Sequence, residues 1–402
     1  MGSVVSEERC LYAAKCGACH IGEMSYEQEL AEKNKWVISH IGKYCHQIHD
    51  IIGMYYPYHY RNKVHAVLGK VKDTVVAGTY AEGTHTIIPV NSCLIEDVQA
   101  SAIIQTVAEL IQSFKLWVYN EDTGRGLMRH ILVRKGTATK QIMVVLVTAS
   151  TEFPHKNHFV EVLRTRHPEI TTIVQNINTK QTSMVLGDKN KILYGQGYIE
   201  DVLLGLRFRI SSNSFYQVNS AQTQVLYKKV IQAAALTGDE TVIDAYCGIG
   251  TIGMCMHAKA RRVIGIELNE QAVKDARENA KQNHLKKIQF VAADATEYMT
   301  QMSQNGMRAD VIIMDPPRSG STEAFVKATV SLRPRCVVYV SCNPETLGRD
   351  LEWFCREGYI AEEAWIVDMF SFTQHVETCV LLSQQRGDDY IKVSLKPGCN
   401  TR

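Results

Sequence analysis

The sequence predicts a doubly wound α/β sheet in its second half, behind an α+β domain in its first. Three observations predict this. After Ile210, short apolar runs alternate with helical patterns, as in a parallel sheet wrapped by helices. From Tyr58 to about Gly197 the chain is instead rich in strand-like runs bounded by Gly, Asn, Asp or Lys. The 402 residues are 45% hydrophobic and 21% charged, an ordinary globular composition with length for two or three domains. Disordered, collagen-like and low-complexity classes are thereby excluded.

The elements follow in order. Residues 1–24 are irregular and carry three closely spaced cysteines, and 25–49 form a linking helix. Ser25 caps that helix, Glu27 and Glu29 suit its first turn, and Trp36, Ile38 and Ile41 recur at helical spacing. The α+β domain is 50–205. Its predicted strands are His65–Leu68, Thr74–Tyr80, His130–Arg134, Ile142–Thr148, Thr172–Ile177, Ser183–Leu186 and Ile192–Gln196, with helices at Glu96–Phe114 and His155–Thr165. The doubly wound domain is 206–390, opening on a helix at Ser220–Leu236. Seven strands follow: Thr241–Ala245, Arg262–Ile266, Ile288–Val291, Val311–Met314, Cys336–Val340, Ala361–Val367 and Thr378–Leu382. No helical pattern separates the last two, so they are expected as an antiparallel pair closing a seven-stranded sheet. Residues 391–402 are a tail.

Charge and targeting signals are sparse. Lys plus Arg is 44 and Asp plus Glu is 42, a net charge of +2, so a nucleic-acid partner needs a local basic face. No apolar run reaches the roughly 18 residues of a membrane span, and no signal peptide opens the chain. Residues 1–6 fit the N-myristoylation pattern only at the few positions that pattern constrains. The expectation is a soluble, cytoplasmic, monomeric protein without a membrane partner, whose twelve cysteines are reduced.

A nucleotide-type pocket is legible in the second half. Asp244-Ala245-Tyr246-Cys247-Gly248-Ile249-Gly250-Thr251 reads as strand, glycine turn and helix start. Glu267 ends the next strand, where a carboxylate suits the two hydroxyls of a ribose. Asp294 follows the third strand and suits an adenine amino group. With Asp315-Pro316-Pro317-Arg318 at the fourth strand, the set favours S-adenosylmethionine over NAD, and the absence of Lys-Ser/Thr after the glycines disfavours a nucleoside triphosphate. Cys342 follows an apolar strand and precedes a helix opening at Pro344, where a helix dipole favours a thiolate. Glu377 enters the last strand, as either a costly burial or a base of raised pKa.

These residues resemble the RNA 5-methyluridine methyltransferases, enzymes with a Rossmann-like class I methyltransferase domain. The resemblance rests on Ser214-Phe215-Tyr216-Gln217-Val218-Asn219, the Asp244–Thr251 turn, Asp315-Pro316-Pro317-Arg318, Ser341-Cys342-Asn343-Pro344 and His375-Val376-Glu377. It extends forward through Cys16-Gly17-Ala18-Cys19, Tyr60-Arg61-Asn62-Lys63 and Gly126-Leu127-Met128-Arg129-His130. It is closest to the iron–sulfur branch acting on 23S ribosomal RNA, so ribosomal RNA is favoured over transfer RNA as substrate. Many relatives begin with a small RNA-binding barrel called TRAM; here the first cluster cysteine is already Cys10, so that module is expected to be absent.

The resemblance implies a mechanism. Cys342 adds to C6 of uracil, C5 takes the methyl group of S-adenosylmethionine, and Glu377 removes the C5 proton. The cofactor contacts map onto Gln217, Tyr246, Glu267 and Asp315, beside Asp294 from its position. A base hidden in folded RNA must be flipped out, and Arg61, Lys63, Arg129 and His130 are the expected RNA contacts. Cys10, Cys16, Cys19 and Cys93 are spaced for zinc or a [4Fe–4S] cluster; spacing alone favours zinc, and the resemblance favours the cluster. Two other readings are a noncatalytic iron–sulfur RNA-binding protein, which requires a degenerate Cys342 or Glu377, and a cytosine-C5 methyltransferase, against which the Glu377 segment argues.

Overall fold

The computed structural model describes residues 10–385 apart from His20, Gly22, Glu23, Glu82 and Ser183. The myristoylation pattern and the 391–402 tail lie outside the described residues. Among those residues no helix is long and apolar enough to cross a membrane.

The second half is built on an eight-stranded sheet. Its order is Cys45–Ile48, Tyr359–Val367, Glu377–Gln384, Cys336–Ser341, Val311–Met314, Thr241–Ala245, Arg262–Glu267, Ile288–Ala292. All neighbours are parallel except Glu377–Gln384, which runs against both of its own. The seven expected strands are present, and Cys45–Ile48 adds an eighth. The linking helix expected over 25–49 is therefore corrected. The helix is Tyr26–Ile41, opened by a Ser25–Gln28 capping box and ended at Gly42. A four-residue strand is too short to show its own period in the sequence.

That helix packs on the large sheet of the second half. Its Val37 and Ile41 are fully buried with Ile312, Val337 and Ile366. It lies so close to Pro344–Arg356 that a Cβ on Gly348 would sit 2.7 Å from the carbonyl oxygen of His40. Burial of such apolar side chains stabilises by about 1.5–3 kcal/mol each.

The central sheet has seven strands, ordered Ile87–Pro89, Thr74–Tyr80, Lys63–Val71, Met128–Lys135, Ile142–Thr148, Ile170–Ile177, Lys189–Tyr194. One face packs Val64, Ile131 and Val144 against the helices Val98–Ser113 and Lys156–Arg166. The other sends Leu132, Met143 and Val145 into a core shared with Phe208, Leu226 and Val242. The strand expected at Ser183–Leu186 is absent over 184–186. Asn178 Nδ2 donates to the Met184 and Val185 carbonyls at 2.7 and 3.2 Å, so a side chain takes the place of ladder bonding. The expected division at 205/206 falls inside a hairpin, Tyr198–Leu203 paired with Leu206–Ser211. Leu204 and Gly205, both with positive φ, form its two-residue turn.

Candidate active site

Three adjacent strands bring the candidate catalytic residues to one edge of the large sheet. Cys336–Ser341 pairs antiparallel with Glu377–Gln384, with Val340 opposite Cys379 and Ser341 opposite Thr378. The next step of that register sets Cys342 against Glu377. Asp315 follows Met314, which pairs with Tyr339 on the same strand as Ser341. Cys342 and Glu377 are thus neighbours because of register, although 35 positions apart in sequence.

Their electrostatics differ from the sequence expectation for the cysteine. Burial, then the nearby carboxylates of Glu377 and Asp315, push the Cys342 thiol up to about 11, while Arg318 pulls it down. The residue is thus a thiol at neutral pH in this state, and the dipole of Pro344–Arg356 is outweighed by desolvation and two acids. Burial pushes Asp315 up to about 7. Glu377, only 4% exposed, is pushed well above the carboxylate range by burial and by Asp315. A cavity of about 640 Å³ opens beside them. Cys342, Arg318 and His375 line one side, and Glu29, Lys33 and Trp36 of the Tyr26–Ile41 helix line the other.

The neighbouring strand ends form a crevice. Tyr246, Gly248 and Gly250 all have positive φ, which turns the chain sharply after Ala245. Gly253 is packed so tightly that a Cβ there would meet Asp244 Oδ2 at 2.8 Å. Glu267 accepts from the Gly248 and Asn269 N–H groups at 3.0 and 2.8 Å. Asp294 is exposed and caps the next helix, accepting from Glu297 N–H at 3.0 Å. Tyr246 packs on Phe325, ring centroids 5.1 Å apart. Gln217 is buried, its carbonyl held by Asn62 Nδ2 at 3.2 Å. Asp244 is buried with Oδ2 accepting from Gly253 N–H at 2.8 Å and Oδ1 without a partner. Burial pushes Asp244 up to about 7. A glycine-cleared crevice holding an orphaned carboxylate oxygen fits a nucleoside-bearing cation such as S-adenosylmethionine.

Of the expected RNA contacts, two are buried in the structure. Arg129 is 2% exposed and donates five hydrogen bonds, three to Glu121 and one each to the Asn178 and Lys180 carbonyls. His130 is buried against His65 at 5.0 Å, and burial pushes it down to about 3, so it is neutral. Both side chains are buried within the sheet. Arg61 and Lys63 behave differently. Lys63 lies directly opposite Arg134 across the strands, and burial, then Arg134 and Arg61, push it down to about 8. The Nε atoms of Arg61 and Arg134 have no partner. None of the three forms an ion pair with a described residue; Arg134 is buried and donates to the Ser214 carbonyl at 2.6 Å, which leaves Arg61 and Lys63 as a positive patch beside Asn62 and Gln217.

The four candidate ligand cysteines converge from distant chain segments. Cys10, Cys19 and Cys93 border a small apolar cluster of Ile21, Tyr58, Ile95 and Phe372. Cys16 is within electrostatic reach of Cys10, Cys19 of both, and Cys93 of Cys19. Among the described residues no three His, Cys, Asp or Glu side chains form a group that could hold a metal ion.

The model of the tRNA (uracil-5-)-methyltransferase family matches residues 167–385, more than half the chain. The chain belongs to that family, the class I RNA 5-methyluridine methyltransferases. An uncharacterized RNA methyltransferase of Listeria innocua is 42% identical over 387 residues, covering 94% of this chain and 85% of its own. Another, from Halalkalibacterium halodurans, is 42% identical over 380 residues, covering 94% and 83%. Among solved structures, a tRNA (uracil-54, C5)-methyltransferase of Pyrococcus abyssi in complex with S-adenosyl-L-homocysteine superposes with a TM-score of 0.75. It is 27% identical, with 89% of this chain and 84% of that chain covered. This protein is an S-adenosylmethionine-dependent RNA methyltransferase.

Sequence reasoning missed the far wall of the cavity. Glu29, Lys33 and Trp36 looked like part of a linker, and nothing local to 25–49 says that this helix packs beside Cys342. Asp244 was read only as part of the glycine turn; its place at a strand end before that turn was the available signal.

Proposed function

We propose that this enzyme methylates C5 of a uridine in ribosomal RNA through a covalent bond between Cys342 and C6. The observation that carries the reading is that Cys342, one step beyond the Ser341–Thr378 pair, lies within electrostatic reach of Glu377 and Asp315 and lines a cavity sized for a nucleotide.

Gln217, Tyr246, Glu267, Asp294 and Asp315 would hold S-adenosylmethionine, with Asp244 supporting the turn. When bound, it supplies a methyl group on a sulfonium. The remaining work falls to this chain. Cys342 gives its thiol proton to water in the adjoining cavity and Sγ bonds to C6, so the C5=C6 electron pair moves onto C5 and makes it nucleophilic. Arg318 opposes the two acids and eases that ionisation. After C5 is methylated, Glu377 takes the C5 proton, the double bond re-forms and the sulfur leaves. Glu377 acts from its ionised form, and its burial raises the proton affinity with which that carboxylate takes the C5 proton. Arg61 and Lys63 form the cationic patch for RNA phosphates, with the buried Arg134 behind them, and the uridine is flipped into the cavity.

The resemblance to the iron–sulfur branch, and not the arrangement of the thiols, is the support for a structural [4Fe–4S] cluster on Cys10, Cys16, Cys19 and Cys93. That cluster is the ground for preferring ribosomal RNA. The Pyrococcus abyssi relative, named for a tRNA uracil, supports transfer RNA as a second reading. Mapping 5-methyluridine in both RNA pools of a deletion strain decides: loss from ribosomal RNA alone is expected, and loss from transfer RNA alone overturns the preference.

A further inference from the structure

Burying an ion costs several kcal/mol even after relaxation. Lys33, Glu29 and Asp368 are nevertheless 4%, 5% and 0% exposed. Lys33 Nζ lies 2.6 Å from Glu29 Oε1 and 2.6 Å from Asp368 Oδ1, and donates to the Phe370 carbonyl at 3.1 Å. Asp368 Oδ2 accepts from the Tyr26 and Ser371 hydroxyls, both at 2.6 Å. Glu29 Oε2 accepts from Phe372 N–H at 2.9 Å, and the Tyr60 hydroxyl donates to the Ser371 carbonyl at 2.9 Å. Three residues of the Tyr26–Ile41 helix and Tyr60 therefore converge on five consecutive residues, 368–372.

Those five residues contain a strained position. Phe372 has φ of +62°, a left-handed conformation that is strained for a bulky L-residue. Glu29 holds its N–H, and the rings of Tyr58 and Tyr26 pack on its own at 5.2 and 5.5 Å. Val376, fully buried, and then Glu377 follow. Stability does not explain the ions, since apolar replacement of a buried triad is often neutral or stabilising. What they do accomplish is to select one conformation of the turn that delivers the base.

We propose that Lys33, acting through Glu29 and Asp368, is a positioning residue for Glu377: the cluster holds residues 368–376 in the strained turn that sets the base against Cys342. With three acceptors around its ammonium, Lys33 acts through the turn and not on the uracil. The proposal rests on the covalent reading above for the identity of the base.

Two variants test it, Lys33→Met and the apolar triple Glu29→Leu/Lys33→Met/Asp368→Leu, with Tyr26→Phe as a mild third that removes one bond to Asp368. Single-turnover methylation is expected to slow about tenfold or more in the first two and about threefold in Tyr26→Phe. Affinities for S-adenosylmethionine and RNA should stay within about twofold, and the triple should melt near the wild-type temperature. Lys33→Arg, which keeps the charge, should recover part of the rate. A folded triple variant with the wild-type rate overturns the proposal, as does a rate loss that only follows lost affinity. Should the triple not fold, an unchanged rate in Tyr26→Phe overturns it instead. Glu377→Gln serves as reference: absence of an RNA adduct there refutes the covalent reading alone, while the rates above still decide positioning.

Discussion

Arg129→Ala separates a structural arginine from an RNA-binding one. The guanidinium uses its N–H groups in five hydrogen bonds: Nε and Nη2 to Glu121 Oε1 at 3.1 and 2.9 Å, Nη2 to Oε2 at 2.8 Å, and Nη1 to two backbone carbonyls at 2.9 and 2.8 Å. Truncation leaves the Glu121 carboxylate, whose side chain is 17% exposed, without its cation. Breaking a buried pair on one side costs about 3–5 kcal/mol. For domains of this size that lowers the melting temperature by roughly 10 °C. Thermal melts and urea titrations of Arg129→Ala read the loss directly, and Glu121→Gln in the same background should cost much less than it does alone. RNA affinity and its salt slope, measured well below the melt, should stay within about twofold of wild type. A variant with wild-type stability and a salt slope reduced by about one unit would refute this reasoning and return Arg129 to the RNA interface.

Three further outcomes are expected. Asp244 titrates near 7 in the folded protein against about 3.9 unfolded, so the native state keeps its proton over that interval and stability falls as pH rises through it, by about 4 kcal/mol in all. Asp244→Asn should therefore gain stability relative to wild type as pH rises between about 4 and 7 while losing S-adenosylmethionine affinity; a pH-independent difference in urea titrations contradicts this. The double variant Arg61→Ala/Lys63→Ala should weaken RNA binding and flatten its salt slope by about one unit per lost phosphate contact, with an unchanged slope counting against the patch. Protein purified without oxygen should carry about four irons per chain, and Cys93→Ser should lose iron and RNA affinity together while still binding S-adenosylmethionine. One zinc per chain would contradict the cluster.

Much of the site was legible because strand ends carry local signatures. Glu267, Asp294, Asp315 and Cys342 each follow a short apolar run, and alternation with helices fixes which end of the sheet they occupy. The pairing of Cys342 with Glu377 was not legible from spacing, since it depends on the antiparallel register of two strands separated by Pro344–Arg356 and Tyr359–Val367. The strand Cys45–Ile48 escaped because its pairing partner is more than 300 positions away in sequence. Arg129 and His130 were misplaced for a different reason. A basic residue in a strand reads as exposed, and only the fold shows that Glu121 and two carbonyls meet it inside. The thiolate expected at Cys342 failed likewise: the helix start is local, but the two acids beside it come from other strands.

Trapping the RNA on Glu377→Gln tests the central claim most directly. Glutamine cannot take the C5 proton, so addition and methylation should proceed and then stall. With S-adenosylmethionine and labelled substrate RNA, the account predicts a protein–RNA adduct that survives denaturing gels, bears the methyl group, and maps to Cys342. Combining Cys342→Ala with the same change should abolish it. Free turnover by Glu377→Gln with no adduct would contradict the account.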